Sequence, residues 1–162
     1  LAAIDNNARL PAAAIMISPW IDLANTSPTI RSHAHLDQRV SQDSLNVMRG
    51  LFLQDGTSTD HPLVSPLKGD VAKFPPCQIY CGGSEVLIGD ATAFATKLAQ
   101  HNRHVEAYFL PEMEHGWSFI NPEFPLSKFT TAKVVAFIKE HARKRTSAGI
   151  VIRHKRTIYA QF

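Results

Sequence analysis

Pro75-Pro-Cys77-Gln-Ile-Tyr-Cys81-Gly-Gly-Ser-Glu85-Val-Leu-Ile-Gly-Asp90 is the stretch whose reading decides the fold. Two prolines introduce the apolar run Cys77 to Cys81, and Gly82-Gly83 stops it, which reads as a buried strand ending in a tight turn. Asp90 then reads as the cap of a helix with Phe94, Ala95 and Leu98 on one face, ending near His101-Asn102. Val105 to Leu110 alternates into Pro111 and makes a further strand. Strand, turn, helix and strand within so few residues predict neighbouring parallel strands joined by a crossover helix.

Upstream of this unit, Asp5 to Leu10 reads as the tail of a helix. Ala12-Ala-Ala-Ile-Met-Ile17 reads as a fully buried strand of the same parallel sheet, running out at Ser18-Pro19-Trp20. Residues 22–66 are rich in Asn, Thr, Ser, Pro and His, and one amphipathic segment, Ser41 to Leu53, repeats Leu45, Met48 and Phe52 at helical spacing. This is a cap-like insertion with a helix inside it. Downstream, Leu126 to Lys144 places Phe129, Val134, Phe137 and Ile138 on one side and cations toward its end, as the helix dipole favours. Beyond Thr146 the pattern is lost, and residues 146–162 are expected to form a poorly ordered basic tail after a single domain of residues 1–145. The fold class is α/β, a parallel sheet flanked by helices. Three strands alone leave two open edges, so the sheet reads as incomplete.

A chain of 162 residues with 44% hydrophobic and 19% charged residues has the composition of one globular domain. Its net charge of +3 gathers late, among Arg143, Lys144, Arg145, Arg153, Lys155 and Arg156. That pattern reads as a solvated helix end and tail rather than a nucleic-acid or membrane face. The longest apolar run is far short of the roughly 20 residues that span a bilayer. Leu1 is not a methionine and no signal peptide is visible, so truncation is expected. Cys77 and Cys81, four positions apart on one strand, would stand about 13 Å apart, beyond disulfide reach. They are expected to be buried free thiols, which favours a reducing, cytoplasmic compartment.

Reactive groups of open α/β sheets gather in the loops at the carboxyl ends of strands. Two such loops carry candidates: Gly82 to Asp90, with Glu85, and Glu112 to Trp117, with His115. One βα unit separates them, so the carboxylate is expected to lie beside the imidazole, fixing its tautomer and stabilising the imidazolium that forms when it accepts a proton. His33 with His35, and His101 with His104, have spacings that suit zinc, but no third ligand is suitably placed and no Cys-x-x-Cys occurs, so no metal is expected.

Ser18-Pro-Trp-Ile-Asp22-Leu, His61-Pro-Leu-Val-Ser65-Pro-Leu, Phe74-Pro-Pro-Cys with Gly83-Ser-Glu-Val-Leu87, and Met113-Glu-His-Gly-Trp117 resemble, in that order, the C-terminal half of the hormone-sensitive-lipase-like branch of the α/β-hydrolases. The resemblance covers roughly Leu10 to Arg143. It implies a serine carboxylesterase or lipase acting on a small-molecule ester without metal or cofactor, with Glu85 as the acid and His115 as the base. Many relatives carry Asp at the position of Glu85, so Asp90 stays open as an alternative acid, its other reading being a plain helix cap. The resemblance also implies that residues 22–66 contribute a lid and acyl pocket, to which Trp20, Leu45, Met48, Leu51 and Phe52 belong unless they are ordinary core. Trp117 either walls the site or packs under the sheet edge.

The family has a His-Gly-Gly oxyanion segment and a Gly-x-Ser-x-Gly elbow upstream. Neither occurs in these 162 residues. Ser84 lacks the second elbow glycine, and the family gives Ser18 no nucleophilic role. The chain alone is therefore expected to be nearly inactive. Two other readings stay open: a noncatalytic receptor-like homologue, and a degraded gene product without a stable fold. Oligomeric state and the natural ester are not legible.

Overall fold

Alternation along the central strand sets the layers. The computed structural model describes the backbone of residues 1–54 and 56–158, and the side chains of that range through Arg143. Its elements are α1 (Ala2–Asp5), β1 (Ala14–Ile17), α2 (Thr29–Ser32), α3 (Gln42–Phe52), β2 (Cys77–Gly82), α4 (Ile88–Gln100), β3 (Val105–Leu110), α5 (Trp117–Ile120) and α6 (Pro125–Ile158), with a 3-10 turn at Pro66–Lys68. The strands form one parallel sheet in the order β1-β2-β3. Every residue of β2 is buried. Cys77, Ile79 and Cys81 fall on one face, where α4 packs Ala91, Phe94 and Leu98 against them, joined by Ile21, Val71 and Phe74. Phe94 meets Phe74 edge-on at 5.4 Å between ring centroids. On the opposite face Tyr80 stacks on Tyr108, and Tyr108 meets Phe129 of α6.

Four sequence expectations are corrected. β1 is only partly buried, not fully, because it lies at the sheet edge with a neighbour on one side. The helix expected over Asp5 to Leu10 has already ended at Asp5, and Asn7 turns left-handed (φ 50°) ahead of Pro11. Asp90 is not the cap of α4: Leu87 holds that place without a side-chain cap, and Asp90 sits inside the first turn. The buried face of α6 is Ser127, Thr130, Phe137 and His141, while Phe129 and Ile138 are exposed. Periodicity located that helix and its inward direction, shared at Phe137, but drew the apolar face too wide, taking in Phe129 and Ile138 at its margins. The backbone of α6 continues to Ile158, past Thr146, where the sequence pattern is lost; the side chains of the expected tail and all of residues 159–162 lie outside the described residues.

The cysteines are free and buried. Burial pushes the Cys77 thiol up to about 12, and burial followed by the nearby Glu85 carboxylate raises Cys81, so neither is reactive at neutral pH.

The two ends of residues 22–66 are joined to each other, and the chain just beyond them is held by α4. The Leu23 N–H donates to Ser65 Oγ (2.8 Å), and Lys97 Nζ donates to the carbonyls of Leu67 (2.8 Å) and Gly69 (2.6 Å). Within this segment Ser41 caps α3 through a reciprocal pair: the Ser44 N–H donates to Ser41 Oγ (3.1 Å) and the Ser41 N–H to Ser44 Oγ (2.9 Å). Ser41→Ala is expected to lower stability by about 1 kcal/mol and to speed amide exchange in the first turn of α3, read by urea unfolding and hydrogen exchange. No helix among the described residues is long and apolar enough to cross a membrane.

Candidate active site

Parallel registration brings three strand ends to one edge, since Ile17 pairs with Tyr80 and Gly82 with Leu110. Each chain then turns into a loop there: Ser18 after β1, Gly83 to Leu87 after β2, and Pro111 to Gly116 after β3. The last two are laced together, with the Gly83 N–H donating to the Leu110 carbonyl (2.7 Å) and the Ser84 N–H to the Met113 carbonyl (3.2 Å). Left-handed backbone at Glu112 (φ 61°) and Gly116 (φ 72°) brackets the histidine and folds it back over the sheet edge.

Glu85 and His115 meet there. His115 Nδ1 lies 3.0 Å from Glu85 Oε2, the carboxylate side chain fully buried and the imidazole one-third exposed. The ionised carboxylate accepts only, so Nδ1 carries the proton and the lone pair is left on Nε2. The bond to Glu85 raises the His115 pKa, opposed by burial, with further support from the charges of Glu85 and Asp37 and a smaller opposing effect of Arg39. Glu85 Oε1 faces away from the histidine and accepts the Gly82 N–H (2.6 Å) and the Ser18 hydroxyl (2.8 Å). Three donors thus meet this buried carboxylate, two on Oε1 and one on Oε2.

Asp90 lies elsewhere. Its Oδ2 accepts the N–H groups of Ile21 and Asp22, both at 2.9 Å, and fixes the segment leaving β1. Burial raises its pKa, partly offset by those two N–H donors. Its bonds go to that segment, whereas His115 bonds Glu85.

The six expected pocket residues do not share one cavity, and Leu51, exposed on α3, lines neither of the two described next. Trp20, Met48 and Phe52 line one of about 390 Å³ with Leu23, Val64 and Pro66. Trp117 lines another of about 240 Å³ with Arg39, Met113 and Phe124. Leu45 lines neither and is corrected to core: it is 1% exposed and packs with Ile30, Val40, Val86 and Leu87. Among the described residues no group of three His, Cys, Asp or Glu side chains is placed to hold a metal ion.

Three features were not foreseen. Ser18 holds the acid, and its signal was a serine at a strand end before proline. Asp37, buried, accepts the Val86 N–H (2.9 Å) beside Glu85 and the N–H groups of Arg39 (3.0 Å) and Val40 (2.9 Å). Arg39 then reaches Glu114, next to His115, at 3.0 Å. Sequence separations of 49 and 75 residues hide both contacts.

A parallel sheet whose strand-end loops join a buried carboxylate to a one-third-exposed imidazole defines an α/β protein with a carboxylate–imidazole pair at the edge of its sheet. Residues 1–119 match the family model described as alpha/beta hydrolase fold. An acetyl-hydrolase of Streptomyces hygroscopicus is 33% identical over 135 residues, 83% of this chain and 45% of that protein. An esterase of Acinetobacter venetianus is 29% identical over 79% of this chain and 42% of its own length. The crystal structure of an esterase from the bacterial hormone-sensitive lipase family superposes with a TM-score of 0.82 at 29% identity, covering 86% of this chain and 47% of that one. The chain belongs to the hormone-sensitive-lipase-like family of α/β-hydrolases, a family of esterases and lipases. It spans under half the length of these relatives.

Proposed function

We propose that this chain supplies the acid and base of a serine carboxylic-ester hydrolase. The 3.0 Å approach of His115 Nδ1 to Glu85 Oε2 is the observation that carries the reading. Nε2 of His115 accepts the proton of a serine hydroxyl as its oxygen attacks the ester carbonyl, and returns it to the departing alcohol oxygen. Glu85 holds the imidazole in the Nδ1–H tautomer and offsets the imidazolium charge. Attack of water on the acyl-enzyme repeats the proton transfers and releases the acid. In this reading residues 22–66 contribute the lid, and Trp20, Met48 and Phe52, which line one cavity, supply an apolar wall for part of the ester.

The sequence contains neither Gly-x-Ser-x-Gly nor His-Gly-Gly. The purified 162-residue chain is accordingly expected to show no serine-type turnover of p-nitrophenyl acetate; turnover abolished by His115→Ala would contradict this. The hydrolase reading itself is tested on the coding sequence immediately upstream. A Gly-x-Ser-x-Gly elbow in frame supports it, and an elbow with its serine replaced argues for a binding protein.

A further inference from the structure

We propose that Ser18 is a positioning residue of this acid–base pair: its hydroxyl locks the Glu85 carboxylate so that Oε2 alone is presented to His115. The inference rests on the acid–base reading of Glu85 and His115 given above, and adds to it a third strand end.

Ser18 Oγ donates to Glu85 Oε1 at 2.8 Å, and the Gly116 N–H approaches Ser18 Oγ at 3.4 Å. A hydroxyl has one proton and two lone pairs. With the Gly116 N–H directed at a lone pair, the proton is left for the carboxylate. Ser18 therefore touches both loops that carry the pair, the acid itself and the residue after the histidine.

Its backbone supports the same role. Ser18 is left-handed (φ 49°), a region that a non-glycine residue occupies only when its surroundings impose it. Its N–H is pinned to the Tyr80 carbonyl (2.8 Å) and Pro19 follows. The side chain is 7% exposed, so the bond to Glu85 does not compete with bulk water. Oε1 also accepts the Gly82 N–H at 2.6 Å. Without Ser18 the carboxylate is held by Gly82 on Oε1 and by the one-third-exposed His115 on Oε2; the Ser18 bond adds a buried anchor on Oε1 that fixes its plane.

Ser18→Ala and Ser18→Gly both delete the hydroxyl, and the glycine variant also relieves the left-handed backbone, so it remains folded where the alanine variant does not. The readouts are the NMR titration midpoint of His115 and its Nδ1 proton resonance in the full chain. Charged and titratable groups facing that ring are Glu85, Asp37 and Arg39, all unchanged in both variants. Wild type is expected to titrate above 6.5, and folded Ser18→Gly about one pH unit lower with its Nδ1 proton lost to exchange. A merely structural serine would lower the urea midpoint and leave the folded-state titration unmoved. A raised wild-type midpoint that persists in the glycine variant overturns the role of Ser18 and leaves the acid–base pair intact. A wild-type midpoint at or below 6.5 overturns both.

Discussion

Gly82→Ala is expected to cost at least about 4 kcal/mol, enough to unfold much of the population of a chain of ordinary stability. An added Cβ would stand 2.0 Å from the Met113 carbonyl oxygen, 2.6 Å from its carbon and 3.1 Å from Glu85 Oε1. The first two are backbone atoms of the histidine loop and cannot rotate aside, so either β2 or that loop has to move. Movement of either opens the bonds from Gly83 to Leu110 and from Ser84 to Met113 that lace the loops together. Gly50→Ala is the control, because nothing lies within 4 Å of its added Cβ and the residue is interior to α3. That change is expected to stabilise by about 0.5–1 kcal/mol. Urea unfolding of both variants reads the contrast. A Gly82→Ala protein as stable as wild type would show that the close approach of the two loops is wrong.

Glu85→Ala is the second large effect, expected at about 2–5 kcal/mol. The loss does not come from an exposed ion pair, since His115 is one-third exposed and water can replace its partner. It comes from the far oxygen: removing Oε1 leaves the buried Gly82 N–H and the Ser18 hydroxyl without an acceptor. Glu85→Gln keeps a carbonyl oxygen for those donors and is expected to unfold closer to wild type. Equal urea midpoints for wild type and Glu85→Ala would contradict the hydrogen-bond pattern around the acid.

The two carboxylates considered as the acid illustrate what was legible. Glu85 follows a strand closed by two glycines and His115 follows the next, and the rule that parallel strands end on one edge was enough to predict their meeting. Asp90 could not be separated from Glu85 by sequence, because both lie within one short loop and helix start. Its actual partners, the N–H groups of Ile21 and Asp22, are nearly 70 residues away along the chain. The same limit hid Ser18, Asp37 and the Arg39–Glu114 contact: periodicity and turn chemistry report on neighbours in sequence, whereas these bonds are made by the folded layers.

The apolar residues divide along the same line. Leu45, Met48 and Phe52 share a helical face, so the pattern in α3 treats them alike. The fold then turns Leu45 toward Val86 and Leu87 while Met48 and Phe52 are 43% and 68% exposed. Hydrophobic spacing identifies a face, but what covers that face is settled by the elements packed on it. In α6 the buried face includes Ser127 and Thr130, which no hydrophobic pattern would select.

The pairing of Glu85 with His115 also has a pH signature. Because the folded-state pKa of His115 lies above the ordinary 6.5, protonation is favoured by the native state. Its stabilising contribution is fully present below 6.5 and is lost as pH rises through the elevated native value. The measurement that tests this most directly is the NMR titration of His115 in wild type and Glu85→Gln, the resonance assigned by its disappearance in His115→Ala. The account predicts a wild-type midpoint above 6.5 and a clearly lower one in Glu85→Gln, where burial still acts on the imidazole and no carboxylate offsets it. Identical midpoints in the two proteins would contradict it.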